Sequence, residues 1–591
     1  MEARHIQDFS DGGNVTYHWG YAERQVPCKN DVGSCEYLDE VYGGHDRGMI
    51  YVGIFWTTVI GILFFWALFH RMSSTRLSRT ASSISNRYLL PEFKMGRWLF
   101  GRTTRLQVLV LAILIGYLSI FTFAGISYKI WITPVKAHPG VYNTRSSLGP
   151  WSDRIGVIAY ALTPLSILLA SRESLLSVIT GLPYHHFNFL HRWLGHIIML
   201  QSVLHTIGWC IIEIKLYQPQ PSVATEWIKQ TYMIWGVVAL IILLLLWGLS
   251  TRYAQRKFGY EFFRKAHWIL AILYMGAAIG HWSGLQCFII PSMLLWALDR
   301  GIRLGRAALI HYQIMPDGKG LFKTIDAKVT HFDEEIVRLD FTSQVRWSTG
   351  QHFYVTFADK GFWQSHPFTP LSVSGPRQSY LFRGKKGETK RIADSTLATL
   401  PVILTGPYGQ SVTEKLEDDC NVLCITGGTG ITFVLPVLLE LANSTTTGSL
   451  ELVWVIRHDH DRKWIARELD LLRATDRVKI TIVTTRDPLS LSNVNTESNS
   501  NSDDDKSLPL QTPTTELSEK DTQTHHRPDL ASVVRDFVSS TDKGATTVYV
   551  SGPSGMITDV REEVARYNDP AKVWKGQQEA RVELIHDERL E

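Results

Sequence analysis

The stretch that decides the fold is Asn188-Phe189-Leu190-His191-Arg192-Trp193-Leu194-Gly195, which runs on as an apolar segment to a second histidine, His205. A later apolar segment repeats the arrangement, with His267 and His281 again 14 residues apart. Fourteen residues at about 100° each fall only about 40° short of four full turns, so each pair lies on one helix face, about 21 Å apart along the axis. Both segments are long enough to cross a bilayer, which takes about 20 mostly apolar residues. Ionisable side chains at that depth are costly and default to a functional reading. One further apolar run separates the two segments, so they cross in the same direction. His191 then matches His267 in depth, and His205 matches His281.

Two facing imidazoles, each offering one nitrogen, suit six-coordinate haem iron. Such iron has no open position and passes single electrons. The four histidines therefore read as axial ligands of two haem b groups stacked across the membrane. His185, His186 and His196 lack a partner at matching depth and read as loop or packing residues.

Working outward, seven spans are expected, at about 49–70, 106–128, 154–171, 191–213, 231–249, 265–283 and 285–303. Pro164 makes the third the weakest of them. Lys and Arg concentrate in 71–105, in 250–265 and after the last span, which fall on one side of a seven-span protein and mark it as cytosolic. The first 48 residues then lie outside. They carry nine Asp/Glu against four Lys/Arg, a glycosylation acceptor at Asn14-Val15-Thr16, and Cys28 and Cys35, which are either paired or two free thiols. Over the whole chain of 591 residues, 45% hydrophobic and 11% aromatic content excludes disorder, and a net charge of +4 leaves no nucleic-acid footprint. Six cysteines are too few for a disulfide scaffold.

From about 306 the character changes to short β-rich runs such as His352-Phe-Tyr-Val-Thr-Phe357, expected as an antiparallel barrel. His366-Pro367-Phe368-Thr369 follows, with Phe368 placed to stack on a flat ring and Thr369 and Ser372 offering hydroxyls. Arg383 and the basic 384–391 segment offer cations and amides for a diphosphate. From about 416 the pattern is α/β. The strand Asn421 to Thr426 runs into Gly427-Gly428-Thr429-Gly430 and a helix, a turn that lets a pyrophosphate approach the helix N-terminus. Arg457, at the end of the next strand, suits a ribose 2′-phosphate and hence NADPH. Ser551-Gly552-Pro553 ends another strand. The domains expected are 1–48 extracytoplasmic, 49–305 transmembrane, 306–415 β-barrel and 416–591 α/β nucleotide-binding domain, with a disordered insertion at 488–527.

From about residue 100 onward the chain resembles the fungal ferric/cupric reductases, relatives of the NADPH oxidases. The residues that carry this are 188–195, the two histidine pairs, His366-Pro367-Phe368-Thr369, Gly406-Pro407-Tyr408-Gly409 and Gly427 to Gly430. The resemblance implies a membrane haem core followed by a ferredoxin-reductase-like module, with an antiparallel FAD barrel and an α/β NADPH domain. It implies that His366 to Thr369 bind the flavin, with the Thr369 hydroxyl near its ring system. It places Gly406 to Gly409 near the FAD diphosphate and the NADPH, and Gly427 to Gly430 with Arg457 at NADPH. The chain departs from the family pattern at Ser551, where relatives usually have cysteine. The expected activity moves electrons from cytosolic NADPH through FAD and two haems to Fe³⁺ chelates, siderophores or Cu²⁺ outside, in support of metal uptake. The alternative acceptor is O₂, giving superoxide. The expected surroundings are lipid of the plasma membrane, with the vacuolar membrane as the alternative, and an iron permease or oxidase as partner; nucleic acid is not expected.

Overall fold

The protein is seen in a computed structural model that describes residues 17–18, 21–22, 27–72, 75–182, 184–313, 324–333, 335–359, 364–486, 528–541 and 543–587. The glycosylation acceptor at Asn14 and the insertion at 488–527 lie outside the described residues. The chain forms two compact units, one of Met1–Ser73 with Gln107–Gly305 and one of Ser74–Leu106 with Arg306–Glu591.

Among the described residues, seven helices are long and apolar enough to cross a membrane, all of them expected. They are α1 (Val32–Arg71), α2 (Arg105–Phe123), α3 (Leu148–Ala170), α4 (Asn188–Ile211), α5 (Thr231–Leu249), α6 (Tyr260–His281) and α7 (Gln286–Gln313). The chain is thus a multi-pass membrane protein. Pro164 does not break α3. Of its apolar stretch 61% is buried within the protein, against 11–28% for the other six. It faces neighbouring helices rather than lipid, and Tyr160 on it donates to the Ala278 carbonyl of α6 at 2.7 Å.

The first helix begins well before residue 49. Asp31 caps it, accepting the Ser34 amide at 3.0 Å. Its polar first turns were not visible as a span because they pack on protein. Glu36 accepts the Trp131 indole N–H at 2.9 Å, and His45 sits 3.3 Å from Asp153. Trp131 belongs to a hairpin of Ile130–Pro134 and Tyr142–Ser146. Cys28 and Cys35 are joined as a disulfide.

In the second unit, β1 (Ile325–His331), β2 (Ile336–Thr342), β3 (His352–Phe357), β4 (Ser365–Phe368), β5 (Arg377–Arg383) and β6 (Thr399–Tyr408) form an antiparallel sheet in the order β4-β3-β6-β1-β2-β5. The sheet curls until its two edges meet: Phe368 of β4 stacks on Phe382 of β5 with ring centres 4.8 Å apart. Strand alternation sends Phe353, Val355, Val337, Leu339, Val402 and Leu404 into the enclosed core.

A parallel sheet follows, of β7 (Asn421–Gly427), β8 (Leu450–Ile456), β9 (Val478–Thr484), β10 (Thr546–Ser551) and β11 (Val582–Asp587), in the order β9-β8-β7-β10-β11. Both faces are covered, as parallel sheets require. Val422 and Cys424 of β7 pack under α8 (Ile431–Ala442), while Leu423 and Ile425 pack under α9 (Leu530–Ser539) and α10 (Ser554–Tyr567). The segment 74–106, expected as a plain cytosolic loop of the membrane half, instead belongs to this unit. Its helix Arg76–Tyr88 buries Ser83 against Asn568 at 3.1 Å, and Arg87 donates to the Asn568 carbonyl at 2.7 Å.

Candidate functional site

In the first unit, His191 and His267 face each other with ring centres 6.1 Å apart and planes at 79°. His205 and His281 repeat this at 6.1 Å and 85°. All four rings are anchored through Nδ1. His191 reaches the Ser166 carbonyl at 3.0 Å, His205 the Ser152 carbonyl at 2.7 Å and His281 the Tyr232 carbonyl at 2.9 Å. His267 meets the Ser250 hydroxyl at 3.2 Å. That hydroxyl already donates to the Leu246 carbonyl at 2.6 Å, so its oxygen accepts from His267. Nδ1 therefore carries the proton in every ring, and Nε2 keeps its lone pair. This is the second-shell arrangement that orients metal-binding histidines. Metal–imidazole bonds of about 2 Å place the centres of two rings sharing one ion about 6 Å apart, which the observed spacing meets.

The anchors were not legible in the sequence. Ser152 and Ser166 lie on α3, 14 residues apart like the histidines they hold, and that repeat was the available signal. Two glycines complete the support. A Cβ on Gly156 would lie 2.7 Å from Nδ1 of His205, and one on Gly236 would lie 2.7 Å from Nδ1 of His281. Each glycine follows the carbonyl-bearing residue by one helical turn, Ser152 or Tyr232, so ring and backbone close on each other. Gly156→Ala or Gly236→Ala pushes the ring off its anchor. If the His205–His281 pair holds a haem, the expected result is a loss of about 10- to 100-fold in electron transfer through it, with weaker haem retention, read from absorbance per chain.

In the barrel, alternation sorts the flavin candidates. Phe368 does not present its ring for stacking on a ligand. It is buried in the core between Phe357 and Phe382, because it shares the inward face with His366. Pro367 points to the opposite face, where it pairs with Tyr354, and Tyr354 pairs in turn with Thr405. Tyr408 joins that face, 5.5 Å from Tyr354 and 5.9 Å from His352, with the Arg306 guanidinium 4.8 Å above its ring. The alternation of His352-Phe-Tyr-Val-Thr-Phe357 puts His352 and Tyr354 on this face, and Arg306 reaches it from α7. Gly406 sits at the register shift of β6, where a Cβ would come 2.9 Å from the Phe353 ring, and Gly409 has φ of +88°. Thr369 is buried just after β4. Ser372 serves its own turn, donating to the Arg377 carbonyl at 3.2 Å. Within the basic segment, Arg391 is held by Asp359 and Glu388, both at 2.6 Å, so its charge is largely matched inside the protein.

In the parallel sheet, order reverses between β7 and β10, and ligands of such sheets bind at that switch point, beyond the strand C-termini. Gly427 to Gly430 follow β7, and Ser551 to Pro553 end and follow β10. The Thr426 hydroxyl donates to the Ser551 carbonyl at 3.0 Å, and a Cβ on Gly430 would lie 2.6 Å from that same oxygen. No side chain caps α8; the glycine turn Gly428–Gly430 runs directly into it, and the Ile431 amide donates back to the Gly428 and Thr429 carbonyls. At the end of β8, Arg457 is exposed. Partial burial, then the charges of Arg383 and Arg486, pull its guanidinium below its ordinary value, and Arg383 is in turn paired with Glu335 at 2.6 Å. These arginines concentrate positive charge around the strand end.

Comparisons with known proteins follow the same three blocks. Residues 155–278 match the family described as ferric reductase like transmembrane component, 321–412 a FAD-binding domain, and 420–565 the ferric reductase NAD binding domain. Ferric/cupric reductase transmembrane component 1 of Candida albicans is 26% identical over 462 residues, covering 73% of this chain and 57% of the relative. Ferric reductase transmembrane component 5 of Saccharomyces cerevisiae is 27% identical over 567 residues, covering 88% of this chain and 75% of the relative. Against three such relatives the chain spans between 57% and 65% of their length. With its apolar helix bundle followed by matches to the FAD-binding and NAD-binding domains, the chain carries the domain set of the ferric reductases it resembles.

Proposed function

We propose that the protein is a transmembrane metalloreductase that uses NADPH on the cytosolic side to reduce ferric or cupric chelates on the other. The observation that carries this reading is the duplicated histidine pair, each 6.1 Å across with every Nδ1 anchored. In this reading His191 with His267 and His205 with His281 hold two haems, the row Tyr354, Pro367 and Thr405 lies against FAD, and Gly427 to Gly430 with Ser551 to Pro553 frame NADPH. When bound, FAD supplies the conversion of a two-electron hydride into single electrons, which bis-imidazole haem iron carries one at a time. The protein's own part is positional. The helix anchors hold each imidazole in one tautomer, the glycine turn before α8 and Arg457 hold phosphate groups, and Ser551 offers a hydroxyl beside the nucleotide loop. The orientation rests on Lys and Arg in 71–105 and 250–265, and on the Cys28–Cys35 disulfide, which suits an oxidising compartment for the N-terminal segment. The packing of 74–106 on the nucleotide unit supports one compartment for both. The plasma membrane is the proposed location.

Two results test this. Purified protein carries two haems per chain, and His191→Ala loses one of them; a chain that retains no haem under any loading contradicts the reading. Arg457→Gln raises KM for NADPH about tenfold, equivalent to about 1.4 kcal/mol, and leaves KM for NADH unchanged. An equal rise for both coenzymes removes Arg457 from the 2′-phosphate.

A further inference from the structure

We propose that Asp333, His460 and Asp461 form a binding site for one divalent transition-metal ion of the zinc class, linking the barrel to the nucleotide domain. Asp333 lies in the turn between β1 and β2. His460 and Asp461 lie in the short helix Asp459–Ile465 that follows β8 and Arg457. One ligand atom from each residue falls within 4.8 Å of the others. Nε2 of His460 is 3.5 Å from Oδ1 of Asp333 and 3.4 Å from Oδ1 of Asp461. Charge-assisted hydrogen bonds are shorter, at about 2.7–2.9 Å. The observed spacings instead match the ligand-to-ligand edge of a tetrahedral site, about 3.4 Å for metal bonds of about 2.1 Å.

The outer partners of these ligands are already in place. The Trp464 indole donates to Oδ2 of Asp333 at 3.3 Å. The Arg457 and His458 amides donate to Oδ2 of Asp461, each at 3.2 Å. Each carboxylate thus has one oxygen fixed by the protein and the other turned toward His460. His458 stacks on His460 at 5.2 Å with planes 8° apart, which sets the ring plane. Metal sites are oriented by contacts of this kind. Asp461 is 4% exposed, while Asp333 and His460 are 37% and 53% exposed, so an ion has an entry path. Two carboxylates, one imidazole and an open fourth position suit Zn²⁺, with Cu²⁺ and Ni²⁺ as competitors, over Mg²⁺ or Ca²⁺, which take all-oxygen shells. Because Asp333 comes from the barrel and the other two from the loop bearing Arg457, a bound ion cross-links the two domains. The site does not depend on the reductase reading.

The test uses the full-length holoprotein, stripped with a chelator and dialysed against Zn²⁺, with metal per chain measured by mass spectrometry. Wild type is expected to retain one more zinc per chain than His460→Ala or Asp333→Asn, whose haem content stays normal. Zn²⁺ is also expected to raise the temperature of flavin release in wild type and in neither variant. Equal zinc in wild type and both variants, or none in wild type, overturns the site. Retention by Asp333→Asn alone overturns the cross-link. Asp461 is left intact because it also caps its helix.

Discussion

Alanine at His205 or His281 is expected to lower metal-chelate reduction by about 100-fold or more while NADPH still reduces a soluble dye at the flavin. The two histidines are matched in depth on α4 and α6 and share one site, so either loss leaves its partner ring without the opposite ligand. Removing a metal ligand is more severe than removing an outer-shell contact, which typically costs about 10- to 100-fold. His191 and His267 have their own anchors, Ser166 and Ser250, and are not touched. Haem content should therefore fall from two per chain to one, and the remaining haem should still become reduced on adding NADPH without oxygen. Loss of dye reduction together with metal reduction would mean that the variant had unfolded the whole chain rather than opened one site.

The reciprocal result is expected from Gly430→Val. The first carbon of the new side chain would lie 2.6 Å from the Ser551 carbonyl oxygen and 2.9 Å from its carbon, both backbone atoms at the sheet's switch point. Neither can swing aside as a flexible side chain would, so the turn after β7 or the end of β10 must move. Overpacking of this sort costs about 1–3 kcal/mol in stability. Its effect on turnover is larger, because a misplacement of about 1 Å at a reacting site can cost about 100-fold. NADPH oxidation by every acceptor, dye included, should fall by that factor, with two haems still bound. Dye reduction at the wild-type rate would remove Gly427 to Gly430 from the nucleotide site.

What the sequence revealed and concealed follows from the range of the interactions. The spans and the 14-residue histidine repeats are local patterns, and so are the glycine turn after β7 and Arg457 at the end of β8. The start of α1 at Val32 was hidden because its first turns are polar and are stabilised by Trp131 and Asp153, far away in the chain. Gly156 and Gly236 carry no signal of their own; their importance appears only when α3 and α5 are packed beside the histidine rings. The motif alone suggests a stacking role for Phe368, but the strand around it turns its ring into the core against Phe382. In β4 the period of two turns His366 and Phe368 inward and leaves Pro367 outward, on the face it shares with Tyr354 and Thr405. The cluster at Asp333 joins residues more than a hundred positions apart and had no local signature.

The most direct measurement supplies NADPH to the full-length protein, loaded with FAD and haem, in the presence of ferric citrate and the absence of oxygen, and follows ferrous-chelate formation. The account predicts rapid iron reduction in wild type and its loss in His205→Ala and His281→Ala. NADPH consumption that needs air, yields superoxide and forms no ferrous chelate anaerobically would contradict it.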